Sequence, residues 1–249
     1  MILESMKQFF QHKLAVIGSV IVFLFLILAI FAPLIAPYGI NEQSLGERFS
    51  APSAAHWFGT DDFGRDIFSR VVHGARISLW VGFFSVLGSV ILGTLLGLIA
   101  GYGGRVLDAV ISRLFDILLA FPSILLAIAI VSILGPSLQN ALIAIAIINV
   151  PTFGRLVRSK VLSIKQEEYV LAAKAVGMSH RRIVLRHILP NSMVPVIVQA
   201  TLAIGTAIIE AAALGFLGLG AQAPSPEWGK CSPMRDLISF KPLHYSSQG

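Results

Sequence analysis

Residues Ile77–Ala100 read ISLWVGFFSVLGSVILGTLLGLIA, a run with no charged side chain. About 20 mostly apolar residues in a helix cross the hydrocarbon core of a bilayer, so this run is long enough to span. Ser85, Ser89, Gly93, Gly97 and Gly101 recur at every fourth position. On a helix they share one face. In lipid, helices associate where small residues let two backbones approach closely. Ser89, Gly93 and Gly97 are therefore expected at a helix–helix contact, with a partner either in this chain or in another subunit.

The rest of the chain agrees with a membrane setting. Of its 249 residues 55% are hydrophobic and 13% charged, with a mean hydropathy of +0.80. An ordinary soluble domain carries about 25% charge. The apolar runs are continuous and rich in Leu, Ile and Ala, whereas barrel strands alternate over about 10 residues. An all-α polytopic membrane protein is expected, with five spans: Leu14–Ala36, Ile77–Ala100, Leu114–Leu134 (carrying Asp116 and Pro122), Leu138–Val157 (carrying Asn149 and Pro151) and Met193–Leu219. Leu14–Ala36 is too long for the core of a cleaved signal peptide and lacks a cleavage site. A single cysteine, Cys231, excludes an internal disulfide and a CxxC metal pair.

Lysine and arginine set orientation, because they concentrate on the cytoplasmic side. With the N-terminus inside, Lys7, Lys13, Arg105, Arg113 and the eight basic residues from Arg155 to Arg186 share that side. Arg48, Arg65, Arg70, Arg76, Lys230, Arg235 and Lys241 fall outside. The larger group lies on the N-terminal side, so a cytoplasmic N-terminus is expected. The net charge of +6 is then a topology signal, with lipid rather than nucleic acid as the partner.

Between the first two spans stands Gly59-Thr60-Asp61-Asp62-Phe63-Gly64-Arg65-Asp66, followed by Ile67, Phe68, Val71 and Val72 at helical spacing. A surface helix is expected here, capped by Thr60 or Asp61. The aspartate spacing does not match an EF-hand loop, and no metal site is expected. Glu210 is ionisable inside a span, where such a group usually faces protein or water. It is a candidate for the translocation pathway; a hydrogen-bonded buried acid is the alternative. Asp116 is expected at the interface near Arg113.

The most polar segment between spans contains Glu167 and Glu168 among its basic residues and runs to Asn191. Gln166–Val176 reads as a short helix, Gly177 as its left-handed terminus, and Ser179 as the next N-cap. His180–Leu189 reads as a second helix stopped by Pro190. Arg181 and Arg182 in its first turn oppose the helix dipole, at about 0.3–1 kcal/mol each, which an external partner or lipid headgroups would offset.

Glu168-Tyr169-Val170-Leu171-Ala172-Ala173, Gly177 and Ile188-Leu189-Pro190-Asn191 resemble the EAA loop of ABC importer permeases. Ala172, Ala173, Gly177, Leu189 and Pro190 match in register; Leu171 stands where the family has Glu, and His187 where it has Ile. The Gly59–Asp66 stretch, Gly74-Ala75-Arg76-Ile77-Ser78-Leu79, Phe121-Pro122-Ser123 and Phe216-Leu217-Gly218-Leu219-Gly220 are similar to the C-type permease subunit of the dipeptide/oligopeptide/nickel group. The likeness covers roughly residues 7–230. It implies the ABC type I importer transmembrane fold and a permease in the inner cell membrane carrying peptides, nickel or related small solutes. It also implies a second permease subunit, ATP-binding subunits and an extracytoplasmic substrate-binding protein as partners. The coupling loop is expected at 159–191 with Glu168, Ala172, Ala173, Gly177, Leu189 and Pro190, in a permease domain spanning 76–230. Residues 1–75 form the N-terminal segment with the first span and external loop.

The sequence has no Gly-x-x-x-x-Gly-Lys-Ser/Thr phosphate loop, so ATP and magnesium are expected on partner chains and no catalytic residue on this one. The family has six spans, whereas residues 231–249 form a divergent tail with no apolar run. A last helix lost by truncation or frameshift is the expectation there. Two other classes compete: an ion-coupled secondary transporter or channel using Glu210 and Asp116, for which paired repeats would be needed, and a non-transporting membrane scaffold.

Overall fold

The computed structural model describes residues 13–222 together with Pro226 and Trp228. The expected loss of a last helix, in residues 231–249, lies outside them. Every regular element among the described residues is helical, apart from one isolated bridge between Thr60 and Asp66. The helices are α1 (Lys13–Ile30), α2 (Ala32–Ile35), α3 (Ile67–Tyr102), α4 (Arg105–Leu119), α5 (Ser123–Leu134), α6 (Leu138–Ile164), α7 (Glu168–Ala175), α8 (His180–Ile183) and α9 (Leu189–Phe216). The described residues form two compact units, one within residues 13–78 with Pro226 and Trp228, the other residues 79–222.

In the first unit, α1 exposes apolar side chains around its circumference, among them Leu14, Val22, Phe23 and Ile30. The expected span Leu14–Ala36 is divided at Phe31. Pro33 has no N–H to donate and is best tolerated in the first turn of a helix, the place it takes here. The following loop is closed by its own polar groups. Asp61 accepts from the backbone N–H groups of Phe63 and Arg65 at 2.9 and 3.0 Å, and pairs with Arg65 Nε at 2.7 Å. Gly64 has φ +71°, and a side chain there would collide with the Ser44 carbonyl. Neither Thr60 nor Asp61 caps the helix. Asp66 does, its Oδ2 accepting from Ser69 N at 2.8 Å and Ser69 Oγ at 2.7 Å. The helix starts where the loop's turn is complete, seven residues past Thr60. Trp228 Nε1 donates to the Val71 carbonyl at 2.9 Å, and its ring lies over Gly74.

The surface helix expected before Ile77 is the start of the span itself: α3 runs 36 residues. At 1.5 Å per residue that is about 54 Å, well beyond a hydrocarbon core of about 30 Å.

In the second unit α6 is the axis, packed by α4, α5 and α9 and by the small-residue face of α3. That face meets a partner in the same chain. Ser89 Oγ donates to the Ala146 carbonyl at 2.9 Å. Side chains added at Gly93 and Gly97 would stand 2.6 Å from Phe153 Cβ and 2.5 Å from the Gly154 carbonyl oxygen, respectively. Gly154 also receives the buried Phe115 ring from α4 on its other side. The expected fourth span is longer than Leu138–Val157, because α6 passes through Pro151 and ends at Ile164. Arg155, Arg158 and Lys160 thus belong to the helix rather than to the loop after it.

The expected span Leu114–Leu134 is not straight: α4 and α5 meet at 93°. Pro122 disfavours helical geometry at Phe121 and serves as the N-cap position of α5. Four helices among the described residues are long and apolar enough to cross a membrane, or five if this bent pair counts as one.

Candidate functional site: the hairpin between α6 and α9

The hairpin is built from α7, α8 and the turns around them. Glu167 is the N-cap position of α7. Glu168, exposed in its first turn, places a negative charge where the helix dipole is positive. Its terminus is a complete Schellman motif: Met178 N donates to Ala173 O at 3.0 Å and Gly177 N to Lys174 O at 3.0 Å. Gly177 takes φ +78°, as its position in this motif requires. Ser179 is the N-cap position of α8 without a side-chain cap hydrogen bond; its carbonyl accepts from Ile183 N at 3.1 Å.

Burial divides the hairpin into two faces. Val170, Ala173, Ile183 and Ile188 are buried. Leu171 is 50% and Val176 80% exposed, and Ala172 and Gly177 are exposed beside them. The two matching alanines therefore face opposite ways, Ala173 into this chain and Ala172 out of it. Arg181 and Arg182 are exposed as well.

Pro190 does not stop the second helix. Val184–Ile188 forms a π turn, and α9 continues from Leu189 with Pro190 in its first turn. The wider turn, closed by Leu189 N to Val184 O, lets the chain pass a residue that has no N–H to donate. Asn191 Nδ2 donates to the His187 carbonyl at 2.6 Å and reaches the Tyr169 hydroxyl at 3.4 Å, tying α7 to this turn. Leu189 is partly buried and Pro190 exposed.

Two ion pairs hold α4 to the same end of α6. Arg158 grips both oxygens of Asp108 through Nε and Nη2, the latter at 2.8 Å, the bidentate geometry that suits guanidinium and carboxylate. Arg155 Nη2 lies 2.5 Å from Asp116 Oδ1. Asp116, one turn from Arg113 on α4, thus takes Arg155 of α6 as its ion-pair partner. Its partner lies 39 positions away in sequence, beyond the reach of local reasoning. The signal for both pairs was basic residues extending a span opposite acids on an amphipathic helix.

Glu210 lies far from the hairpin, six residues before the end of α9 at Phe216. It is partly buried, and Asn149 Nδ2 donates to its Oε2 at 3.2 Å. Asn149 also donates to the Ile145 carbonyl at 3.0 Å, so one amide bridges the α6 backbone and the α9 carboxyl.

A helical bundle with a span-length α3, a broken α4–α5 pair and a hairpin between its last two long helices defines a polytopic transport permease. The chain belongs to the family of binding-protein-dependent transport system inner membrane components, whose model matches residues 93–241. A second model, the N-terminal TM domain of oligopeptide transport permease C, matches residues 2–52. The chain is 65% identical to the dipeptide transport system permease protein DppC of Alkalihalophilus pseudofirmus over 240 residues, 96% of this chain and 79% of that one. It is 47% identical to the di/tripeptide transport system permease protein DppC of Pseudomonas aeruginosa, over 95% of this chain and 80% of that one. It is 45% identical to the glutathione transport system permease protein GsiD of Pectobacterium atrosepticum, over 91% and 75%. Among solved structures, an inward-facing MetNI methionine ABC transporter matches with a TM-score of 0.54 at 20% identity, covering 68% of this chain and 89% of that one. The fold is that of an ABC importer transmembrane subunit.

Proposed function

We propose that this chain is the C-type permease subunit of an ATP-driven importer that carries dipeptides or other short peptides across the inner membrane. The hairpin between α6 and α9 faces the cytoplasm and docks on a separate ATP-binding subunit, and a second permease completes the pathway. An extracytoplasmic binding protein delivers cargo from the opposite side. ATP and magnesium are held by the ATP-binding subunits. The N-terminus is cytoplasmic, as the distribution of lysine and arginine favours.

One observation carries this reading. The hairpin anchors Val170, Ala173, Ile183 and Ile188 inside the chain while presenting Leu171, Ala172 and Val176 outward around a left-handed Gly177. Exposed apolar side chains in a solvent-facing loop, followed by the exposed Arg181 and Arg182, mark a surface that a partner covers. The names of the 65% and 47% identical relatives favour dipeptide or tripeptide cargo over nickel.

The test is co-purification. A tagged chain expressed with its ATP-binding and second permease subunits should retain the ATPase, and a chain lacking residues 166–190 should lose it while still entering the membrane. Retention of the ATPase by the deleted chain would overturn the docking role. Failure of the intact complex to accumulate dipeptide in the presence of its binding protein would overturn the cargo.

A further inference from the structure

The hairpin continues directly into α6 and α9, so any push on it reaches those helices along the chain. Helix α3 has no such continuity; Tyr102, its last residue, lies 78 positions before His180, the first of α8. Yet the two side chains meet. The Tyr102 hydroxyl is 2.7 Å from His180 Nδ1, and the rings stand edge to face with centroids 5.8 Å apart. Lys165, the C-cap of α6, completes the junction. Its Nζ donates to the Gly101 carbonyl at 3.1 Å and lies 5.6 Å from the Tyr102 ring centroid. Gly101 O is among the last carbonyls of α3, which have no partner within the helix. A cation there is favoured by the dipole.

We propose that Tyr102 is a positioning residue for energy coupling, a third attachment through which movement of the hairpin at His180 is passed to α3. This rests on the reading of the hairpin as the ATPase-docking element. The junction is suited to the task for two reasons. Above it, Gly93, Gly97 and Gly101 lock α3 against α6, where an added side chain would stand 2.5–2.7 Å from its nearest α6 atom, so displacement at Tyr102 is carried by a packed pair of helices. The link also survives a change in histidine charge: neutral Nδ1 accepts from the phenol, and the imidazolium donates to it. His180 precedes the exposed Arg181 and Arg182, so it stands at the edge of the outward face.

The test uses the chain assembled with its partner subunits in proteoliposomes, reading radiolabelled glycyl-leucine taken up per ATP hydrolysed. Tyr102→Phe keeps the ring and its contact with Lys165 and removes only the hydroxyl. Uptake per ATP should fall two- to tenfold. His180→Ala should give the same fall, the double variant no further fall, and His180→Asn, which restores a hydrogen-bonding group near the Nδ1 position, most of the wild-type ratio. A second measurement is independent of cargo: labelling of a cysteine introduced as Leu95→Cys on α3, in a Cys231→Ser background. It should respond to ATP with Tyr102 present and lose that response in Tyr102→Phe. A merely structural role would lower the yield of assembled complex and leave both ratios unchanged. Wild-type coupling in Tyr102→Phe, or additive losses in the double variant, would overturn the inference alone. A wild-type complex that retains no ATPase would overturn the functional reading beneath it.

Discussion

Gly97→Ala and Gly205→Ala are the same substitution in two long helices, and the structure assigns them opposite signs. At Gly97 the new methyl would lie 2.5 Å from the Gly154 carbonyl oxygen, 2.8 Å from Val157 Cβ and 3.1 Å from Arg158 N. Two of the three are backbone atoms of α6, which no side-chain rotation can clear. Ordinary contact distances begin near 3.5 Å, so α3 and α6 must part by roughly 1 Å, and a gap of that size forfeits about a quarter to a half of each dispersion well along the face. Overpacking of this kind costs about 1–3 kcal/mol. At Gly205, on α9, nothing lies within 4 Å of the added methyl. There only the backbone entropy changes, and Ala in a helix interior is favoured by about 0.5–1 kcal/mol. The assay is thermal unfolding of the purified chain in detergent, followed by tryptophan fluorescence. The midpoint should fall for Gly97→Ala and hold or rise for Gly205→Ala. Equal midpoints would refute the claim that backbone contact across this face organises the bundle.

Three other perturbations separate roles by conservative pairs. Gly177 has open space for a side chain but a φ of +78°, so Gly177→Val should strain the turn by about 1–2 kcal/mol and lower uptake per ATP, whereas Gly177→Asn, which tolerates that region, should retain most of it; equal coupling in both variants would remove the turn from the mechanism. His56 is buried with Nδ1 3.0 Å from Asp66 Oδ1 and Nε2 3.5 Å from Glu47 Oε2, and the hydrogen bond to Asp66 is the main cause raising its pKa above 6.5. A raised histidine pKa contributes stability that is fully present below the unfolded value and lost as pH rises through the folded one, so the thermal midpoint should decline from about pH 6.5 upward, and His56→Gln should flatten that decline. Glu210→Gln preserves a hydrogen-bonding partner for Asn149 and removes the charge: a raised KM for dipeptide uptake would place the carboxylate on the path of a cationic amine, and unchanged kinetics would leave it as a structural contact.

The class of fold was legible because its signals are local. Span length, the four-residue repeat from Ser85 to Gly101 and the Gly177 turn each depend on neighbours within one or two helical turns. Where the sequence misled, a proline or a distant partner decided the outcome. Pro33 and Pro122 broke runs that hydropathy reads as single spans, whereas Pro151 and Pro190 sit in helices that continue, one inside α6 and the other behind a π turn. Composition cannot separate these cases, since each depends on whether the freed carbonyl and the crowded ring find room in the surrounding packing. Asp66 was missed as a cap because Thr60 and Asp61 are equally good by residue type. Only the turn through Gly59 and Gly64, both at positive φ, shows where the helix can begin.

The partners of Tyr102, Asp108 and Asp116 were hidden for a different reason, and it bears on how the hairpin works. Each lies on α3 or α4 and finds its match on α6 or α8, between 39 and 78 positions away. All three links gather at the end of the bundle where the hairpin emerges. The α3–α6 contacts above them are of another kind, made by serine, glycine, alanine, valine and phenylalanine without charge. A chain that must pass force from a loop to a bundle needs both. Close apolar packing keeps the helices rigid relative to one another, while hydrogen bonds and ion pairs at their ends can break and re-form as discrete states. If the hairpin docks as proposed, its loop motif marks where the partner would push, and the residues that would receive the push are spread along the chain. Their identity follows only from the geometry that brings Gly101, Tyr102, Lys165 and His180 together.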